Sequence, residues 1–398
     1  MITLNKQKLF NRYLPLSLSV ILLLGAGFFW VNSISFAAVY TVKTGAATDS
    51  TAYKNGRKIV RTSNGNLHAV YFRSDGSKNQ IYYTISTDNG QHWSETALTS
   101  ESYTHRYPSI AVDSSDNLHV VWEGNDSTYP TYYQIFYIKY SGGQWGTATN
   151  LTNYAGFQYG PSIAVDSANN VHVAWEGMSA ADAKYYHIRY IKSSDNGNSW
   201  GGIATLTSGN YGQNLPSIAV DSANNIHLAW CAQSSGSAAY SQVRYVKSSD
   251  NGNSWGEIAN LTSESYTQNY PAIAVDSADS IHVAWYGKYA DSTTYTQIRY
   301  IKSSDNGGSW GTIANLTSAS ANQLYPCLVW SLWPTIGGVK TNVPQAGYAL
   351  VFMDDTTVTF YAGADLAWSG GSSAPAANRN FLLKGGKYMQ KGGRVLIK

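Results

Sequence analysis

Charge is scarce in this chain. Only 13% of its 398 residues are Asp, Glu, Lys or Arg, about half the usual share. What charge there is falls unevenly. Residues 1–37 hold Lys6, Lys8 and Arg12 without an acid, and residues 379–398 hold six Lys or Arg without an acid, which leaves −6 for residues 38–378 out of the total of +3. A mildly acidic body excludes nucleic acid as its partner, because phosphate binding needs a basic face. Cysteine is nearly absent. Cys231 and Cys327 are the two, too few and too far apart in sequence for a disulfide framework. Beyond the first 37 residues no segment shows apolar residues at helical spacing, so surface helices are excluded. No cofactor motif occurs, and none is expected.

In place of these the chain is rich in aromatics and glycine, with 31 Tyr, 13 Trp and 36 Gly. That composition suits strands and turns.

The start has the form of a secretory leader. Lys6, Lys8 and Arg12 precede an apolar run from Leu14 to Trp30, and small residues follow at Ser35 and Ala37. Residues 1–37 are therefore expected to be a signal peptide, and the mature chain to begin near Ala38. An uncleaved membrane anchor is the competing reading, as the run is close to the minimum span. No cysteine follows it, so a lipoprotein anchor is excluded. The protein is expected to be secreted or held at the cell surface, with no integral span after cleavage.

Internal repetition dominates the remainder. Pro-Ser-Ile-Ala-Val-Asp at Pro108, Pro161 and Pro216 recurs from Pro271 and weakly from Pro326. Each copy runs on into an apolar-His-apolar strand ending in Trp, marked by His119, His172, His227 and His282, with an earlier copy at His68. A third alternating segment and a short fourth follow. A period near 55 residues with four strands describes a propeller blade. In the copy from Pro271 the expected strands are 272–275 (a), 281–285 (b), 296–302 (c) and 312–316 (d). Five copies are clear and a sixth, worn one covers residues 325–361, so the fold is all-β, a six-bladed propeller of four-stranded antiparallel blades over 38–368. The worn copy lacks a fourth strand, and Ala38–Val42 is the expected donor, closing the ring and removing its edges.

Between strands c and d an eight-residue motif recurs, Ser303-x-Asp305-x-Gly307-x-Ser309-Trp310. Its other copies centre on Asp88, Gly90 and Trp93, on Asp195, Gly197 and Trp200, and on Asp250, Gly252 and Trp255, with a shortened form at Ser141–Trp145. The Asp can cap turn amides, the Gly can take the left-handed conformation, and the Trp is expected to pack under the turn. The motif resembles the Asp-box of BNR-repeat, sialidase-like six-bladed propellers, over about residues 55–330. The resemblance implies that these turns are structural, and that the d–a and b–c loops line the functional face.

It also implies an enzyme class to weigh. His105-Arg106-Tyr107-Pro108 is similar to the arginine motif that opens sialidases, and Trp122-Glu123-Gly124 to their acidic stretch. Arg106 occurs once in the repeat, so Arg106, Glu123 and Asp126 are the candidate catalytic residues. A three-arginine carboxylate clamp does not assemble: Arg189, Arg244 and Arg299 repeat in strand c, toward the Asp-box end. The histidines fall one per blade, so they ring the fold rather than cluster, and no metal site is expected.

The d–a loops are aromatic and polar. Tyr103, His105, Arg106, Tyr107, Tyr154, Tyr159, Tyr211, Tyr266 and Tyr270, with Glu176 from a b–c loop, are the expected ligand-binding residues. Such a face suits a glycan, or a cell-surface protein. Past Trp368 the chain reads as a flexible linker over 369–380. A basic heptad repeat over 381–398 follows, either an attachment segment for an anionic surface polymer, an edge strand, or a disordered end. Three functions stand: a non-catalytic binding propeller, a sialidase-type glycoside hydrolase, and a surface scaffold.

Overall fold

The computed structural model describes residues 56–331, apart from 89, 180–181, 235–236 and 319, together with strands at 347–354, 357–363, 379–383, 388–391 and 394–397. The leader at 1–37 and the proposed closing strand at 38–42 lie outside these residues. Among the described residues there are strands and turns and no helix.

The strands form consecutive sheets, antiparallel apart from one parallel pair at the end of the last. The fifth is representative, with strands a to d at Gln268–Val275, Ile281–Tyr289, Ser292–Ser303 and Ala314–Asn315. The first four sheets repeat the order with a at Ile59–Arg61, His105–Val112, Gln158–Val165 and Gln213–Val220. Strand b is the central one, and in the second sheet Leu118–Gly124 is buried throughout. That explains its near-continuous apolar run. The expected strands sit inside the observed ones, which extend further at the loop end, while d shrinks to two residues.

No sheet makes a core alone. Val70 and Phe72 of the first sheet pack with Ile110, Val120 and Trp122 of the second, and each later pair repeats the arrangement. Burial of a sheet face therefore depends on its neighbour, as in repeat architectures generally. Strands a carry a second link: Ile218 N–H donates to Ser162 Oγ at 3.3 Å, and Ile273 N–H to Ser217 Oγ at 3.2 Å. Residues of several strands a, including Ser162, Ser217 and Ala272, line a shared cavity with Arg57, about 310 Å³ with its open mouth.

The Asp-box turns behave as expected locally. Ser303 Oγ–H donates to Asp305 Oδ1 at 2.7 Å and accepts Gly307 N–H at 2.8 Å, and Asp305 Oδ1 also accepts Ser309 N–H. Gly307 has φ +86°. The tryptophan also reaches the neighbouring sheet. Trp310 lies edge-on against Tyr245 of the preceding sheet, 4.8 Å between ring centroids, and Trp200 and Trp255 meet Tyr137 and Tyr190 in the same way. Asn306 Nδ2–H also reaches back to Asp221 at 2.6 Å. The turn is thus a clamp on the neighbouring sheet.

The histidines belong to that clamp. His227 bridges Tyr245 Oη at 2.7 Å and Asp221 Oδ2 at 3.2 Å, wholly buried, and His119 and His172 do the same. Burial lowers the pKa of each, with the aspartate opposing.

The last sheet corrects one expectation. Its strands run Gln323–Ser331, Gly347–Asp354 and Thr357–Gly363, and the fourth place beside Thr357–Gly363 is taken by Arg379–Leu383, pairing Val358 with Leu383 and Ala362 with Arg379. Arg394–Ile397 and Tyr388–Lys391 extend the same sheet, so strand structure begins within the segment read as linker and continues through the basic repeat.

Candidate functional site

Antiparallel pairing places the start of strand a beside the end of b: Gln158 pairs with Gly177, and Gln268 with Gly287. The d–a and b–c loops therefore share one end of each sheet, opposite the Asp-box turns. At that end every strand a from the second sheet to the sixth has a bulge just before its proline. The bulged residue takes positive φ: 51° at Tyr107, 58° at Gly160, 60° at Leu215, 54° at Tyr270 and 53° at Tyr325. Bulges of this kind re-aim a side chain and concentrate at functional rims.

One cluster forms around the singular arginine. Arg106 pairs in register with Glu123 and donates to its Oε1 at 3.2 Å. Its guanidinium lies 4.4 Å from the ring centroid of Tyr133 and 5.2 Å from that of Tyr107. Tyr133 meets Tyr159 at 5.5 Å, and Tyr159 stacks on Phe157 and leans on Tyr186. Arg106, Tyr107, Tyr133, Tyr159 and Phe157 are all half-buried, so each offers part of its surface to solvent.

Glu123 is 1% exposed at its side chain, and its second oxygen accepts Gly160 N–H at 2.7 Å. Both oxygens are thus engaged. Burial raises the Tyr133 hydroxyl, with Arg106 opposing, and raises Tyr159 further.

Several expected site residues lie elsewhere. His105 is buried, accepting Trp122 Nε1–H on its Nδ1 at 3.0 Å, and contributes no surface. Glu176 is buried too, accepting Leu215 N–H at 2.6 Å. Asp126 caps Tyr129 N–H and accepts Asn150 Nδ2–H, as a loop staple. Tyr103, Tyr154 and Tyr266 are held by their carbonyls, which accept Gln80, Gln134 and Gln242 Nε2–H. Tyr270 belongs to a second aromatic group with Tyr286 and Tyr325. Tyr211 lies near Arg244.

Tyr133, Phe157 and Tyr186 complete the first cluster. The paired tyrosines at 132–133, just before strand c, and at 185–186, within it, were the available signal. The strand c arginines also correct the sequence reading. Arg189 Nη1–H donates to the Met178 carbonyl, and Arg299 reaches Glu264 of the d–a loop. They extend toward the loop end, because a long side chain leaning along its strand outruns its Cα position.

Among the described residues no His, Cys, Asp or Glu group of three or more gathers as a metal set. Cys231 is buried, its thiol donating to the Asn214 carbonyl at 3.4 Å.

A propeller-like all-β fold with a loop-face aromatic cluster defines the class. Residues 99–262 match the family described as BNR repeat-containing family member. No curated protein matches the chain. Among solved structures a Hadza microbial sialidase is 16% identical with a TM-score of 0.54, over 84% of this chain and 70% of that one. A PL25 polysaccharide lyase, an ulvan lyase solved with a GlcA–Rha3S saccharide, is 12% identical with a TM-score of 0.53, over 79% and 83%. An α-L-arabinanase of Penicillium chrysogenum in complex with arabinobiose is 13% identical with a TM-score of 0.50, over 80% and 91%. At these identities the likeness is one of fold.

Proposed function

We propose that this protein is an exported six-bladed propeller that binds carbohydrate, without cleaving it, at the loop face around Arg106. The observation that carries the reading is the Arg106–Tyr107–Tyr133–Tyr159 cluster. Half-exposed aromatic rings give sugar C–H faces a surface, and a guanidinium over a ring supplies donors for hydroxyls. The three solved neighbours named above are carbohydrate-active proteins, which supports the ligand class. The basic, then apolar, residues 1–37 support export. A cell-surface protein is the alternative occupant of the same face.

The chemistry argues against hydrolysis. A glycosidase needs an acid and a nucleophile or base free to act. Glu123 has both oxygens engaged by Arg106 and Gly160, and the tyrosines beside it are shifted upward.

The test is a glycan array on the mature protein beside turnover of a fluorogenic sialoside. Selective binding without turnover is expected, with Arg106→Ala or Tyr159→Ala weakening binding by roughly tenfold or more. Sialoside cleavage abolished by Arg106→Ala overturns the non-catalytic reading. Retention of full glycan affinity in both variants moves the ligand away from this cluster.

A further inference from the structure

The fifth sheet contains its own ligand, and the fourth lacks it. In the fifth, Arg299 on strand c is 4% exposed and grips the Glu264 carboxylate through both terminal nitrogens, one contact at 2.8 Å and the other shorter. Gln268 completes the pocket. Its Nε2–H donates to the same carboxylate at 3.1 Å, while its Oε1 accepts Arg299 Nη1–H and Trp285 Nε1–H. This is the bidentate geometry by which arginine recognises a carboxylate.

The fourth sheet repeats the frame with Arg244, Gln213 and Trp230 at the corresponding positions, Trp230 Nε1–H again donating to the glutamine Oε1. The carboxylate is missing. Counting from Thr207 as from Thr262, the place of Glu264 falls to Gly209, which is exposed and has φ +115°. Among the described residues two buried donors are left without a partner, Gln213 Nε2 and Arg244 Nε. The guanidinium keeps one long contact, 3.4 Å to the Gln233 carbonyl. Tyr211 stands beside it, the edge of its ring within 3.4 Å of a Cβ placed on Gly209. In the third sheet the place of Gly209 is held by Tyr154, beside Arg189.

Buried donors are ordinarily satisfied, and an exception calls for an absent partner. We propose that Arg244, Gln213 and Tyr211 form a carboxylate subsite for an acidic sugar, a uronate, with Tyr211 offering a ring face to the pyranose and Arg244 taking the place opposite its carboxylate. The proposal rests on the carbohydrate-binding reading above and adds a preference for acidic over neutral saccharide.

Isothermal titration of the mature protein with digalacturonate, its dimethyl ester and hexaglutamate tests it. Digalacturonate is expected to bind about tenfold more tightly than the ester, and Arg244→Gln to erase that difference. Glu264→Ala is the complementary variant. It unmasks Arg299 and is expected to add a second digalacturonate site, a gain that misfolding cannot imitate. Equal binding of acid and ester, unaltered by Arg244→Gln, overturns the subsite and leaves the carbohydrate reading standing. Preference for hexaglutamate overturns the sugar assignment. If neither sugar nor any arrayed glycan binds, the broader reading falls and the subsite with it.

Discussion

His105 stands where the other repeats place Gln158, Gln213, Gln268 and Gln323. Each position opens a strand a, and in the third, fourth and fifth sheets the glutamine Oε1 accepts the buried tryptophan's Nε1–H. In the second sheet Nδ1 of His105 accepts it, so the ring proton sits on Nε2, which has no hydrogen-bond partner and lies 3.7 Å from Glu101. Burial pushes the His105 pKa down to about 4, with Asp126 opposing weakly. As pH falls the unfolded chain takes up this proton near 6.5 while the folded one does not, so stability is lost between about 6.5 and 4. At pH 5 the penalty is about 2 kcal/mol for this one residue. The buried His119, His172 and His227 act in the same direction. Asp113 enters later. Burial alone would raise it, but hydrogen bonds from Asn117, Asn196 and His119 together hold it at about 2, so its contribution is lost below about 3.8. His105→Gln restores the repeat's own residue. It is expected to leave the Tm at pH 7 nearly unchanged and to raise it at pH 5. A Tm–pH profile identical to wild type counts against a buried neutral His105. The departure from the repeat was visible in sequence, where it read as a surface ligand. What sequence lacked was the partner, since the tryptophan that consumes the ring lies 17 positions away across a strand pair.

At the scale of the element, the Asp-box was legible and its purpose was not. Local rules require a capping Asp and a left-handed Gly, and both are present. The tertiary contacts come from the preceding sheet, and no spacing within the motif encodes them. Gly252 shows the difference. Its φ is +86°, and a Cβ there would stand 2.0 Å from the Tyr190 hydroxyl, which is itself bonded to His172. Gly252→Ala therefore strains its own backbone and displaces the neighbouring sheet's buried Tyr–His–Asp chain. The expected cost is roughly 2–4 kcal/mol. Gly202→Ala is the control, because nothing lies within 4 Å of the added carbon, and its expected effect is within about 0.5 kcal/mol. Urea midpoints for the two variants decide the matter. Similar midpoints would reduce the turn to a local hairpin. The strand c arginines failed for a related reason: their Cα positions were read correctly, but a long side chain ends where its partner is.

At the scale of the whole molecule, the repeat period supplied the fold class, because every sheet uses the same alternation and the same turn. It was least informative where the repeat wears out. The last copy lost its Asp-box, and sequence alone assigned its fourth strand to Ala38–Val42. Arg379–Leu383 takes that place in register with Thr357–Gly363. A strand that loses its neighbour exposes a row of unpaired amides and carbonyls, an invitation to associate with another chain. Removing residues 379–398 is therefore expected to lower the Tm by roughly 5 °C or more and to produce oligomers in sedimentation velocity runs. Removing residues 38–46 instead is expected to do neither. The converse result, a monomeric and undiminished protein without 379–398 and a destabilised one without 38–46, would return the closing strand to the amino-terminal end. It would also free the basic carboxy-terminal segment, with its six Lys or Arg from Arg379 onward, for an anionic surface polymer.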